Sequence, residues 1–264
     1  MPENAGHRLL PTPPRRDCMQ AKRLSIVTTT FNCRAVIEGY VQSVSALDPD
    51  RFDWIVIDAA STDGTAEFLA RQADRFAFHQ SAPDAGIYYG LNRGVAQVRT
   101  PYYLVLGADD RLSPTLLDDL APLLATDAAL VLGAVRLMPA GTVKRPGSRR
   151  LHALAWGRVI SHHSVGTVIR TDTHQAFGLY DTAYRVVADG AFLKRILQST
   201  ERVVTSEAIF GDYAAGGLSD RLAFRSVVET FMFQVRAGSS LFLQLPLLAL
   251  RLAKMALRGG LREP

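Results

Sequence analysis

Residues 102–110 read Tyr102-Tyr103-Leu104-Val105-Leu106-Gly107-Ala108-Asp109-Asp110, an apolar run of strand length that stops on two adjacent carboxylates. A strand end is a rigid place from which to hold a hard cation. Mg2+ and Mn2+ prefer oxygen ligands, and Mg2+ often binds through one or two carboxylates together with substrate phosphates. The same pair ahead of a helix also suits turn or capping chemistry, so the flanking sequence has to decide.

Outward from this stretch, strand-like and helix-like segments alternate. The runs at 24–30 (LSIVTTT), 54–58 (WIVID), 76–80, 102–106 and 129–137 read as strands. Helical spacing fills the gaps at 34–47 (through Val36, Ile37, Tyr40, Val41 and Val44), 65–73 and 86–98. Ser113-Pro114 reads as N-cap and N1 proline of a helix reaching Ala125. This alternation implies an α/β fold with a doubly wound, mostly parallel sheet, and such sheets bind ligands beyond the carboxyl ends of their strands. Thr30, Asp58 and the Asp109/Asp110 pair all fall at such ends, which favours a shared ligand crevice over capping. Further on, 139–150 is a Gly/Pro-rich basic stretch that reads as a solvated connection. It is followed by a strand at 164–170, a short helix at 173–177, a helix at 189–198 and a strand at 202–210.

The composition is that of a globular protein. With 264 residues, 48% hydrophobic and 21% charged, the chain can bury one large α/β domain or two small ones. Cys18 and Cys33 are its two cysteines; their placement in a tail and just after a strand argues against a disulfide framework and fits a reducing cytoplasm. The stretch MPENAGHRLLPTPPRR is Pro-rich and basic and lacks an apolar signal-peptide core, so 1–22 reads as a disordered basic tail. The net charge of +5 sits at the ends. From Arg221 to Arg262 seven Lys/Arg face a single acid, Glu229. Basic ends on a mildly acidic body fit an anionic membrane surface better than nucleic acid. At the C-terminal end, Phe224, Val227, Val228, Phe231 and Val235 form one apolar stripe, and 237–250 carries no charge. That uncharged run is shorter than the roughly 20 residues a span needs. Arg251, Lys254 and Arg258 then share a helical face opposite Leu250, Ala253 and Leu257, the pattern of a basic helix lying in a bilayer interface. The plainer alternative is a helix packed on the core or on a second subunit, which leaves room for a homo-oligomer.

Four stretches together resemble family 2 glycosyltransferases of the GT-A fold, above all bacterial members that build surface polysaccharides. They are 25–32 (SIVTTTFN), 57–65 (IDAASTDGT, similar to V-D-D-G-S-T-D-G-T), 83–94 (PDAGIYYGLNRG, similar to P-D-x-G-I-Y-D-A-x-N-K-G) and 104–110 (LVLGADD, similar to the metal-binding D-x-D region). A weaker fifth match joins Ile160-Ser161-His162-His163, Gly178-Leu179-Tyr180-Asp181 and Ala188-Asp189-Gly190-Ala191. The likeness implies an inverting, metal-dependent transfer from a nucleotide-sugar to a hydroxyl, with Mn2+ or Mg2+ as cofactor. It implies Asp189 as catalytic base, Asp110 and Asp109 as metal ligands, and Asp109 also toward the donor. Thr28, Thr29, Thr30, Phe31, Asp58, Asp84 and Asn92 would line the donor site, with Asp58 bonding the nucleotide base. His162, His163 and Arg195 would lie near acceptor or diphosphate. Residues 23–137 then form the nucleotide-sugar half of one domain, 138–218 the acceptor and base half, and 219–264 helices docking on the inner face of the cell membrane. The acceptor inferred from that tail is a polyprenyl-linked saccharide.

The sequence departs from the family pattern at Ala59, Tyr89 and Ala191, where the family carries aspartates. The last two losses leave sugar specificity unreadable and are what a membrane-docked scaffold without activity would show. A sugar-phosphate nucleotidyltransferase would need a Gly-rich basic loop after the first strand, where this chain has Thr30-Phe31-Asn32-Cys33-Arg34. For Gly86, Gly90 and Gly94, four residues apart, close packing of helix on sheet is the preferred reading.

Overall fold

The computed structural model describes residues 22–147, 164–217 and 222–257. Its first half is built from β1 (Leu24–Thr30), α1 (Ile37–Ser45), β2 (Phe52–Asp58), α2 (Thr65–Ala70), β3 (Phe78–Ser81), α3 (Ile87–Val95), β4 (Tyr102–Val105), β5 (Arg111–Leu112) and α4 (Leu116–Leu124). The second half adds β6 (Leu130–Met138), β7 (Thr142–Lys144), β8 (Thr167–Arg170), α5 (Thr173–Phe177), α6 (Ala188–Gln198), β9 (Val203–Ala214), α7 (Ala223–Arg236) and α8 (Leu241–Leu257).

The strands form one sheet in the order β3-β2-β1-β4-β8-β6-β9-β5, with β7 on β6. The first four are mutually parallel. β8 enters reversed between β4 and β6, so β6 and β9 again run with the first four, while β5 and β7 oppose them. Six of the nine described strands thus share one direction. β8 lies between β4 and β6, so segments from both sides of residue 137 share one sheet.

Both faces of the sheet are covered, as the period-2 alternation of a buried strand requires. Leu24, Ile26, Trp54, Val56, Tyr102 and Leu104 join Tyr40 and Val44 of α1 and the leucines of α4 in one core. Val27, Ile55, Ile57 and Tyr103 join Tyr88 and Leu91 of α3 and Phe192 of α6 in the other. Gly90 and Gly94 let α3 press onto β1: a Cβ on Gly94 would stand 2.6 Å from Val27, and one on Gly90 2.9 Å from Thr29. Gly86 does not share this role; it has open space around it and a φ of 142°.

Several boundaries shift from the sequence reading. The first helix starts at Ile37, after a turn closed by Cys33 C=O accepting the Val36 and Ile37 N–H groups. The helix expected from Ser113-Pro114 begins at Leu116, with Thr115 as its N-cap. The stretch read as a solvated connection folds back as β7, and Arg145 pairs with Glu207 at 2.5 Å. The strand expected at 202–210 runs on to Ala214. Its register against β6 slips around Gly133, which makes room for the Phe210 ring. A slipped register bends and twists a strand, and the bent end of β9 pairs Gly211 and Asp212 with β5, directly after the Asp109-Asp110 turn.

Candidate active site

Asp58 ends β2 opposite Thr30 of β1 and is fully buried. Its carboxylate accepts from Thr30 Oγ1 (2.8 Å), Ser61 N–H (2.9 Å), Ser61 Oγ (2.5 Å) and Ser81 Oγ (2.6 Å). A carboxylate offers about four lone-pair sites, so these donors saturate it. Burial alone would raise its pKa, but the serine and threonine donors outweigh burial and hold it below the usual carboxylate value. The loops after β1 and β2 are stitched together as well. Asn32 N–H donates to Ser61 Oγ and Thr62 N–H to Asn32 Oδ1, both at 2.9 Å. Arg34 N–H donates to Asp63 at 2.9 Å and Cys33 N–H to Thr65 Oγ1 at 3.0 Å. Asp58 is therefore the knot of a rigid platform.

The end of β4 is built differently. Asp110 N–H donates to Gly107 C=O at 3.1 Å, closing a tight turn. Asp110 is 2% exposed, and its Oδ1 accepts the Ala214 N–H from bent β9 at 3.0 Å. Burial drives its pKa up, the Ala214 and Gly107 N–H groups pull it down, and the neighbouring Asp109 charge raises it again, leaving it at about 7. A Cβ on Gly107 would stand 2.8 Å from Asp110 Oδ2 and 2.9 Å from Asp109 Oδ1. Both carboxylates thus converge over the bare Cα of Gly107. Gly217 approaches from the other side, its own Cβ position 3.1 Å from Asp109 Oδ2. Arg111 does not neutralise the pair by contact; its Nη1 donates to the C=O of Asp109 (3.0 Å) and of Asp110 (2.8 Å). Two converging oxygen donors, one of them buried with a like charge beside it, suit a hard divalent cation. Among the described residues no third His, Cys, Asp or Glu joins them, the composition of a site completed by substrate phosphates.

Asp189 lies in the first turn of α6. Tyr88, in the first turn of α3, places its hydroxyl 2.8 Å from Asp189 Oδ1 and 2.7 Å from Val186 C=O. Burial raises the pKa of Asp189, against the lowering effect of Tyr88 and of the Gly190 N–H. A half-buried carboxylate of raised pKa, oriented by a phenol, can accept a proton from a hydroxyl.

The other expected site residues divide. Thr29 is partly open and Phe31 is 64% exposed at the end of β1. Asp84 accepts the Gly86 N–H at 2.9 Å and pairs with Arg93 at 3.3 Å, next to Gly90 and Thr29, so it shapes the loop before α3. Three more expected residues bond within the protein. Thr28 points into the core, where Trp54 Nε1 donates to Tyr40 Oη (2.6 Å) and Tyr40 donates to Thr28 (2.8 Å). Asn92 uses both ends of its amide on the backbone of Tyr180, at 2.9 and 3.1 Å, and so joins α3 to the segment before α6. Arg195 sits six residues after Asp189, about 240° around the helix, and donates to Leu179 C=O at 3.3 Å from an exposed flank. His162 and His163 lie outside the described residues. Sequence reading passed over Tyr88, hidden in the G-I-Y motif as an apparent core residue, and Glu229, which stood out as the single acid of a basic segment.

Three comparisons bear on this arrangement. The family model for "Glycosyl transferase family 2" matches residues 25–188. A "PGL/p-HBAD biosynthesis glycosyltransferase" of Mycobacterium tuberculosis is 28% identical over 238 residues, covering 86% of this chain and 91% of that protein. Another M. tuberculosis protein, described as an uncharacterized glycosyltransferase, is 27% identical over 66% of this chain and 69% of its own length. Among solved structures, a Pyrobaculum calidifontis mannosyltransferase in complex with GDP-Man and Mn2+ superposes with a TM-score of 0.63 at 19% identity, over 90% of this chain and 76% of that one. S. aureus TarS, residues 1–349, gives 0.61 at 15% identity over 88% and 71%. The fold is GT-A, as the motifs implied.

Proposed function

The chain belongs to glycosyl transferase family 2, and on that premise we propose that it transfers a sugar, with inversion, from a nucleotide-sugar to a hydroxyl of a membrane-borne saccharide acceptor. The observation that carries the reading is the convergence of Asp109 and Asp110 over Gly107 at a strand end. Mn2+ or Mg2+ held there would neutralise charge on the departing nucleoside diphosphate. Asp189 takes the proton of the attacking hydroxyl as the hydroxyl oxygen bonds to the anomeric carbon and the bond from that carbon to the diphosphate oxygen breaks, releasing the nucleoside diphosphate. Tyr88 keeps that carboxylate aimed. Phe31 and Thr29 border the nucleotide, on the platform that Asp58 ties together. The TarS complex with UDP-GlcNAc and the mannosyltransferase complex with GDP-Man support a nucleotide-sugar donor, without choosing its base.

The membrane part of the reading rests on α8. No described helix is long and apolar enough to cross a membrane. α8 is instead apolar on its outer side: Phe242 is 92% exposed and Leu257 89%, with Leu245 and Leu250 also exposed, while Gln244 is buried. A helix that turns its leucines outward beside Lys/Arg suits the acyl boundary of an anionic bilayer. This supports a place on the inner face of the cell membrane and a polyprenyl-linked acceptor.

Calorimetric titration with UDP-, GDP- and dTDP-sugars tests the donor site. Binding should require Mn2+ or Mg2+, and Asp110→Asn should weaken it at least tenfold, about 1.4 kcal/mol. Equal affinity with and without the ion, in both proteins, would overturn the reading. Truncation after Arg236 should abolish co-sedimentation with anionic vesicles and leave nucleotide affinity unchanged. Persistent sedimentation would remove α8 as the anchor.

A further inference from the structure

Glu229 is buried on α7, and both its oxygens face a turn of backbone. Arg185 N–H lies 2.9 Å from Oε1 and 3.1 Å from Oε2, and Val186 N–H donates to Oε2 at 2.9 Å. Arg225, one helical turn earlier, donates Nε to Oε1 at 2.9 Å and balances the charge. The two captured amides come just ahead of Val187, the N-cap of α6, whose second residue is Asp189. Val186 is also fixed through its carbonyl, which lies 2.7 Å from the Tyr88 hydroxyl that reaches Asp189. One peptide segment is therefore gripped by α7 on its N–H side and by α3 on its C=O side. Lys194 of α6, bound to Gln234 and, at 3.3 Å, to Ser239, ties α6 to the C-terminal end of α7.

We propose that Glu229 is a positioning residue for the transfer reaction: by holding the Arg185 and Val186 amides it sets where α6 begins and so where the Asp189 carboxylate points. The inference rests on Asp189 being the base. Charge-assisted bonds to backbone N–H groups are short and strong, and general-base catalysis is sensitive to placement on the scale of an ångström. Glutamine cannot substitute. Its amide offers one acceptor and turns an NH2 group toward an N–H, which opens the grip on one side. Aspartate retains both acceptor oxygens, one methylene further away.

The test compares wild type, Glu229→Gln, Glu229→Asp and Asp189→Asn as full chains, well below their melting temperatures. In Glu229→Gln, deuterium uptake at 184–189 should quicken at least tenfold with uptake in β1, β2 and β4 unchanged. Turnover of whichever UDP-, GDP- or dTDP-sugar the wild type consumes with Mn2+ should fall about 10- to 100-fold at unchanged donor KM, with partial recovery in Glu229→Asp. Uptake at 184–189 equal to wild type overturns the grip. Faster uptake with unchanged kcat overturns the catalytic role and leaves Glu229 as a purely structural anchor. If Asp189→Asn itself turns over at the wild-type rate, the base assignment fails instead, and the exchange data still decide the grip.

Discussion

The turn after β2 and the turn after β4 start from the same position in the sheet and end with opposite electrostatics. Each follows a buried parallel strand, and each carries an aspartate exposed by no more than 2%. Asp58 gathers four donors, from the ends of β1 and β3 and the loop after β2, and is held below its usual pKa. Asp110 receives backbone N–H groups, has Asp109 beside it and sits at about 7. The first carboxylate holds the protein to itself. The second keeps a like charge beside it and fewer internal donors, which is what the proposed cation would meet. Burial of an acid at a strand end therefore does not by itself mark a ligand site; the count of internal donors separates these two acids.

The contrast predicts two opposite stability effects in metal-free protein. Asp58→Asn confronts four donors with one acceptor and one NH2 group, and should cost about 2–4 kcal/mol, lowering the melting temperature by roughly 5 to 12 °C. Asp110→Asn removes a buried charge next to a like charge, and should leave the melting temperature within about 3 °C of wild type or above it. Differential scanning calorimetry of both variants in excess chelator decides the matter; equal losses would erase the distinction. The acid limb adds a second reading. The folded pKa of Asp58 lies below its unfolded value of about 3.9. Its contribution is therefore complete above that value and disappears as pH falls through the lower, folded one. The gap in urea midpoint between wild type and Asp58→Asn should shrink as pH drops from 5 toward 2. A constant gap would show that the charged form is not what the four donors stabilise.

What could be read from the chain follows from the range of the interactions involved. The parallel strands β1 to β4 and the helices between them were legible because apolar periodicity is local. So was the Asp109-Asp110 turn, marked by its place after a buried strand. The reversal of β8 was not, since a strand carries no local sign of its direction. Neither was the slip at Gly133 that carries Ala214 to Asp110, because it depends on the Phe210 ring packing across the sheet. Motif likeness picked out Thr28 and Asn92 but could not say where their side chains point. Thr28 falls on the face of β1 beneath α1, and Asn92 reaches a backbone 88 residues away. Tyr88 and Glu229 act over similarly long separations, through the same short segment before α6.

The smallest effect sharpens the account of the β2 turn. Ala60 has a φ of 56°, in the left-handed region, between Asp58 and the Ser61 that donates twice to it. The family motif similar to 57–65 carries glycine at this place. For an L-residue with a Cβ that conformation costs about 1–2 kcal/mol, and the four bonds to Asp58 are what hold Ala60 in it. Replacing Ala60 by glycine relieves the strain, while the unfolded chain gains freedom that offsets about 0.4–1 kcal/mol of the benefit. Ala60→Gly should therefore raise the melting temperature by roughly 1 to 3 °C, and less in the Asp58→Asn background than in wild type, because the weakened knot no longer compels the strained turn. A drop in melting temperature on Ala60→Gly would mean that the turn is not strained, and that the order around Asp58 owes nothing to its donors overcoming an unfavourable backbone.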